Sequence, residues 1–149
     1  MIKIADIMTT TPHTCTEHTT LEEAISLCKE FKIRHLPILD KQQQLVGLVS
    51  ERTLLAAQES SLTKTTPEQR RAHEQQIMLK HIMITKLHTV SAEASVEQAA
   101  KHIERHRIGC LPVVEGKRLL GIITDTDFVG VAISLLEMLA EQEPQNTED

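Results

Sequence analysis

Apolar residues recur at helical spacing in two stretches of the chain. Leu21, Ala24, Ile25, Cys28 and Phe31 fall at i, i+3, i+4, i+7 and i+10, the signature of one buried helix face. Val96, Ala99, Ala100 and Ile103 repeat the stripe. Each stripe opens on a capping sequence, Thr20-x-x-Glu23 and Ser95-x-x-Gln98. Each is followed by two short β-rich runs, 36–39 and 45–49, then 111–114 and 119–123, with turns at 40–44 and 115–117. Pro37 and Pro112 sit near strand starts, where a missing N–H is tolerated. A short extended, Thr-rich piece precedes each helix, at 9–16 and 85–91, and a further helix opens at Ser50 and at Thr124. The predicted order is β-α-β-β-α, twice.

The two units also match residue by residue. Ile7-Met8-Thr9 returns as Ile82-Met83-Ile84, Leu21-x-x-Ala24 as Val96-x-x-Ala99, and Ile33-Arg34-His35-Leu36-Pro37 as Ile108-Gly109-Cys110-Leu111-Pro112, all 75 positions later. Gly47-Leu48-Val49-Ser50-x-x-Thr53 returns as Gly121-Ile122-Ile123-Thr124-x-x-Asp127, 74 positions later. An internal repeat of this length is a supersecondary unit. Two repeats follow, at 1–58 and 79–140, with a linker and connecting helix at 59–78 and a polar tail at 141–149. Within the linker, 59–66 is polar and rich in Ser and Thr, and Pro67 opens a helix expected to run over 67–80.

At 149 residues the chain buries about 70% of its unfolded surface, whereas either half alone is marginal; the halves are expected to share a core. The net charge of −5 argues against nucleic-acid binding driven by phosphate neutralisation. With no Trp, no Tyr and two Phe, a base-stacking platform is not expected either. Cys15, Cys28 and Cys110 show no CxxC spacing and suggest neither a disulfide framework nor a thiolate metal site. The N-terminus lacks a signal-peptide pattern, and the longest apolar run, 128–136, is far short of a membrane span. A cytoplasmic protein without membrane partners is expected.

Chemistry concentrates where the last strand meets Thr124-Asp125-Thr126-Asp127. A helix N-terminus there leaves unpaired N–H groups and partial positive charge, an anion site. A carboxylate one turn in can accept hydrogen bonds from two neighbouring hydroxyls, such as a ribose pair. The same four residues also read as a plain helix cap, Thr124 at N-cap and Asp127 favoured by the helix dipole. The whole repeat, with its Leu-Pro strand and its closing Gly-apolar-apolar-Ser/Thr-x-x-Asp/Thr, resembles the CBS-domain family. The likeness covers 4–60 and 79–138, and the size resembles stand-alone pairs of the AcuB (acetoin utilisation) type.

That resemblance implies an α/β pair of repeats about a pseudo-two-fold axis, with two clefts typically holding adenosine derivatives such as AMP, ATP or S-adenosylmethionine. Carried over, Asp127 binds ribose, Thr124 binds phosphate, and Ile122 and Ile123 lie along the nucleoside. His13, Ile33, Arg34 and His35 complete that cleft from the other half. The second cleft, at Ser50, Thr53, Ile108 and Gly109, is degenerate, because Thr53 replaces the ribose carboxylate and Gly109 stands opposite Arg34. One cleft would then have both carboxylate and cation, its twin neither.

Other candidates are weaker. His102 and His106 are spaced i, i+4, but no third ligand is evident to complete a zinc site, so no metal is expected. Cys28 reads as a core hydrophobe and Cys110 as lining the vacant cleft, neither activated as a thiol nucleophile. The segment 128–139 is apolar on more than one face, which suggests a homodimer surface. The leading functional expectation is a non-catalytic regulatory module that senses an adenosine ligand and acts on an unidentified target protein. The alternative is an interaction scaffold with vestigial clefts.

Overall fold

The computed structural model describes residues 1–59 and 66–143. Most of the Ser/Thr-rich linker (60–65) and of the acidic tail (144–149) therefore lies outside the described residues. A short helix, α1 (Ile4–Ile7), leads into β1 (Thr9–Thr10), β2 (Cys15–Thr16), α2 (Leu21–Phe31), β3 (His35–Leu39), β4 (Leu45–Ser50) and α3 (Glu51–Glu59). The connecting helix α4 (Pro67–Gln76) and a 3-10 turn (Leu79–His81) precede α5 (Val96–His106), β5 (Cys110–Glu115), β6 (Arg118–Thr124) and α6 (Asp125–Gln142).

Local chemistry sets these limits. The Thr20 hydroxyl accepts the Glu23 N–H while the Glu23 carboxylate accepts the Thr20 N–H, a reciprocal capping box. Ser95 caps α5 through the Gln98 N–H. Both α2 and α5 stop at a left-handed residue, Lys32 and Arg107, whose N–H groups return to Cys28 and Ile103 carbonyls. The connecting helix ends at Gln76, short of the expected 80, because Ile77 is extended and its carbonyl accepts the Leu21 N–H at 2.8 Å.

The sheets are exchanged between repeats. In one, β2 runs parallel to β3 and β3 antiparallel to β4. In the other, β5 and β6 are antiparallel, and the third strand is β1 from the first repeat, with Thr9 opposite Ile122 and Thr10 opposite Gly121. The reciprocal strand of the second repeat is reduced to one bridge, Ile84 with Leu48, and the counterpart of β2 to another, Val90 with Val113 within the second repeat. The expected second copy of the leading strand is thus present in position but not in length.

Two core clusters result rather than the single shared core expected from size. One gathers Leu21, Ala24, Cys28, Leu36, Ile38, Val49, Leu54 and, from the second repeat, Leu79. The other gathers Ala99, Leu111, Val113, Ile123 and, from the first repeat, Ile4. Ile4 N–H donates to Ala94 O and Leu79 N–H to Thr19 O, each at 2.9 Å. Each repeat is therefore finished by the other's leading turn, and neither core closes alone. Phe31, expected on the buried stripe, is 42% exposed; it closes the last turn of α2, beyond the sheet, and stacks on His13 with ring centroids 3.8 Å apart.

Gly121 is required by this exchange. A Cβ built there would lie 2.5 Å from the Thr9 carbonyl oxygen, so β1 packs against β6 only because position 121 has no side chain.

Candidate functional site

The exchanged strands bring both helix N-termini, α3 and α6, toward the seam between repeats. At each, the loop entering the Leu-Pro strand caps the following helix: Glu51 N–H donates to Arg34 O at 2.8 Å and Asp125 N–H to Gly109 O at 3.3 Å. The seam opens into a cleft of about 920 Å³ lined by both repeats: Arg34, His35, Leu48, Ser50, Arg52 and Leu55 from the first, Ile84, Arg107, Ile108, Gly109 and Asp125 from the second; Asp127 and Thr124 do not line it. A cavity of this size accommodates a nucleotide-sized ligand.

Asp127 occupies a capping position with one oxygen to spare. Its Oδ2 accepts the Thr124 N–H at 2.8 Å and the Thr124 hydroxyl at 3.3 Å. Among the described residues its Oδ1 meets only the Thr9 hydroxyl of β1, at 3.5 Å. The cap reading and the ligand reading are thus compatible: one oxygen holds the helix start, while the other keeps a long contact that a better donor can replace. In the first repeat the equivalent pair is neutral, Ser50 Oγ and Thr53 Oγ1 at 3.1 Å, with Ser50 Oγ also accepting the Thr53 N–H.

Arg34 crosses the seam. Its Nη2 lies 3.4 Å from Asp125 Oδ1 at the first turn of α6, so the first repeat's cation does reach the second repeat's helix N-terminus. Both side chains are more than half exposed, so the pair contributes little to stability and is available to a ligand. His35 packs on Gly109, where a Cβ would sit 3.4 Å from the imidazole. Burial, chiefly, pushes its pKa down; Asp125 opposes and Arg34 adds to that depression.

Several expected site residues fall elsewhere. His13 is exposed and stacks on Phe31. Ile123 is wholly buried in the second core, because alternation along β6 turns it away from the seam; it offers nothing to a ligand. Ile122 sits opposite Thr9 in the sheet and is 9% exposed. Ile33 packs against the first core. Thr53 does not line the cleft, although Ser50, Ile108 and Gly109 do.

The expectation that this cleft lacks a cation also fails: Arg52 and Arg107 both line it. Arg107 is the left-handed cap residue of α5, as Lys32 is of α2. The signal was in the sequence, one position before the aligned Ile33 and Ile108 pairs. Thr9 and Ile84, counterparts at 75 positions, were likewise legible as seam residues only once the strand exchange is known.

All three thiols are buried. Burial, followed by the Asp127 and Asp125 carboxylates, pushes Cys110 up to about 12; burial raises Cys15 and Cys28 to about 11. The thiols stay protonated at neutral pH, which removes the thiolate a nucleophile needs. The histidine pair of α5 does have a third partner, contrary to the sequence reading: His88, from the segment before α5, lies with Nδ1 3.1 Å from His102 Nε2.

The fold and this seam have clear relatives. The family model described as "CBS domain" matches residues 4–60 and 79–134. A candidate acetoin utilization protein (AcuB) of Vibrio cholerae superposes with a TM-score of 0.80 at 44% identity, covering 97% of this chain and 99% of that one. CBSX2 in complex with AMP superposes with a TM-score of 0.76 at 26% identity, covering 91% and 99%; another structure of the CBS-pair protein CBSX2 is that from Arabidopsis thaliana. Inosine-5'-monophosphate dehydrogenase of Mycobacterium tuberculosis is 34% identical over 143 residues, 95% of this chain. The chain spans only 23% of that enzyme's length. With matching sequence in both repeats and the exchanged seam between them, the chain belongs to the CBS-domain family as a tandem pair.

Proposed function

We propose that the chain is a regulatory module, without chemistry of its own, that senses an adenosine-containing ligand of the AMP, ATP or S-adenosylmethionine type. The observation that carries this reading is the seam itself. At the α6 N-terminus Asp127 Oδ1 keeps a long 3.5 Å contact with the Thr9 hydroxyl, and Arg34 of the first repeat reaches Asp125 at 3.4 Å; the opening of about 920 Å³ with Arg52 and Arg107 is the other cleft. The AMP bound by CBSX2, a structural relative of this chain over 91% of its length, supports the ligand class.

In this reading Asp127 accepts a ribose hydroxyl through Oδ1, Thr124 and the α6 N-terminus receive phosphate, and Arg34 leaves Asp125 to pair with it. Ile122, opposite Thr9 in the sheet, and Ile33 offer apolar surface to a base on this side of the seam, whereas Leu48, Ile84 and Ile108 line the other cleft. Because Ile4 and Leu79 tie each repeat into the other's core, a ligand spanning the seam biases the relative position of both halves. The size of that bias is limited by its differential affinity for the two arrangements. The readout is contact with a target protein in the cytoplasm.

A homodimer built on α6 completes the proposal. Val129, Ile133, Leu136, Met138 and Leu139 are each more than half exposed, an apolar surface of the kind that marks association. Calorimetric titration with AMP, ATP and S-adenosylmethionine tests the ligand class. Saturable binding of at least one below millimolar concentration is expected; no heat from any of them at millimolar concentration rejects the adenosine reading.

A further inference from the structure

Three imidazoles converge on the outer side of the second repeat. His102 and His106 occupy successive turns of α5, and His88 reaches them from the segment ahead of that helix. Their ring centroids lie 4.4 Å (His102–His106), 4.8 Å (His88–His106) and 5.1 Å (His88–His102) apart. One ligating nitrogen from each can be chosen so that all three lie within 4.8 Å of one another. Among the described residues this is the one such group of three potential ligands.

We propose that His88, His102 and His106 form a binding site for a divalent transition metal of the Zn²⁺ type, with the remaining coordination position filled by water. A tetrahedral ion with Zn–N bonds of about 2.0–2.1 Å separates its nitrogen ligands by about 3.3–3.4 Å. His88 Nδ1 and His102 Nε2 are already 3.1 Å apart, and the i, i+4 spacing lets His106 approach the same point by a small χ rotation. An all-imidazole donor set suits Zn²⁺, Cu²⁺ and Ni²⁺ and offers nothing to Mg²⁺ or Ca²⁺, which take oxygen ligands. Without a metal, His88 Nδ1 and His102 Nε2 share a hydrogen bond, whose proton an ion would replace. The three rings already crowd one another, with centroids 4.4–5.1 Å apart.

The site has a structural consequence. His88 lies two residues before Val90, whose backbone pairs with Pro112 and Val114 of β5 at 3.0 and 2.9 Å. His106 lies immediately before Arg107, Ile108 and Gly109, which line the seam cleft. A bound ion would clamp the segment ahead of α5 onto the last turn of that helix, next to the wall of the cleft.

The test starts from the full chain dialysed against EDTA. ZnCl₂ is titrated into wild type and into His88→Gln, His102→Gln and His106→Gln by calorimetry, with Co²⁺ visible absorption as an independent readout of a low-coordinate site. His88 and His106 are exposed, so these variants retain the fold, which circular dichroism verifies. His18→Gln, at an exposed histidine of the other repeat, serves as control. The expected result is one Zn²⁺ per chain in wild type and control, with affinity reduced at least about tenfold in each cluster variant, since even second-shell partners are worth that much. Absence of Zn²⁺ binding by wild type, or unchanged affinity in the three variants, overturns the site.

Discussion

Gly121→Ala and Gly47→Ala make the same chemical change at equivalent points of the two repeats, and the structure predicts different costs. At position 121 the new methyl would lie 2.5 Å from the Thr9 carbonyl oxygen and 3.0 Å from Met8 Sδ. The first of these atoms belongs to β1 backbone, so relief requires moving the exchanged strand away from β6. At position 47 the nearest atom is Met83 Sδ, also at 2.5 Å, while the closest backbone atom, Ile84 O, is 3.3 Å away. A methionine side chain can swing aside, and the backbone need yield by only a few tenths of an ångström. Neither glycine has the left-handed φ that would strain alanine, so the substitution also gains about 0.4–1 kcal/mol from the less flexible unfolded chain.

Overpacking against backbone costs about 1–3 kcal/mol, so Gly121→Ala is expected at about 2 kcal/mol destabilising and Gly47→Ala within about 1 kcal/mol of wild type. For a domain of this size, that places the Gly121→Ala melting temperature about 4–8 °C below wild type. Urea unfolding followed by circular dichroism, with calorimetric melting as a check, measures both. Because Thr9 also carries the hydroxyl that touches Asp127, Gly121→Ala should weaken ligand binding at α6 as well. Equal costs at the two glycines, or a larger cost at Gly47, would refute the claim that the β1 exchange is the tighter of the two seams.

His35 is held below the ordinary imidazole pKa by burial, so the unfolded chain binds a proton at its position first as pH falls. Stability is therefore expected to decline below about pH 6.5, and His35→Gln should flatten that slope when urea midpoints at about pH 5.5 and about pH 7.5 are compared. Buried and protonated, Cys15, Cys28 and Cys110 should react with Ellman's reagent at the rate of unfolding; a thiol that titrates within seconds in the native state contradicts the burial argument. Leu136→Glu, on the exposed face of α6, should give a folded monomer by light scattering and circular dichroism, and should remove the concentration dependence of the melting temperature that a dimer confers; a variant that stays dimeric contradicts the α6 interface.

The elements were legible in sequence because periodicity and capping agreed. Leu21 to Cys28 carried the helical stripe, Thr20 and Ser95 carried the caps, and Pro37 and Pro112 marked the strand entries. The exchange was not legible. Ile4 and Leu79 are single apolar residues in short turns, and nothing local tells them to close the other repeat's core. The site followed the same division. The unequal pair Asp127 and Thr53 could be read from the repeat, whereas Arg107 was missed because its direction depends on a left-handed cap. Ile123 was assigned by register to a cleft, but it is wholly buried in the second core. His88 joined His102 and His106 through a contact spanning 14 positions, which no helical spacing encodes.

The central claim is that the two repeats offer unequal sites, with Asp127 holding the ribose of an adenosine ligand. Calorimetric titration of AMP into wild type, Asp127→Ala and Arg107→Ala tests it most directly. Hydrogen bonds to a charged group are worth about 1.5–3 kcal/mol, so Asp127→Ala should weaken AMP about 10- to 100-fold, with Arg107→Ala close to wild type. Undiminished affinity in Asp127→Ala, with the loss appearing in Arg107→Ala, would contradict the account and place the ligand in the arginine-lined cleft of the first repeat.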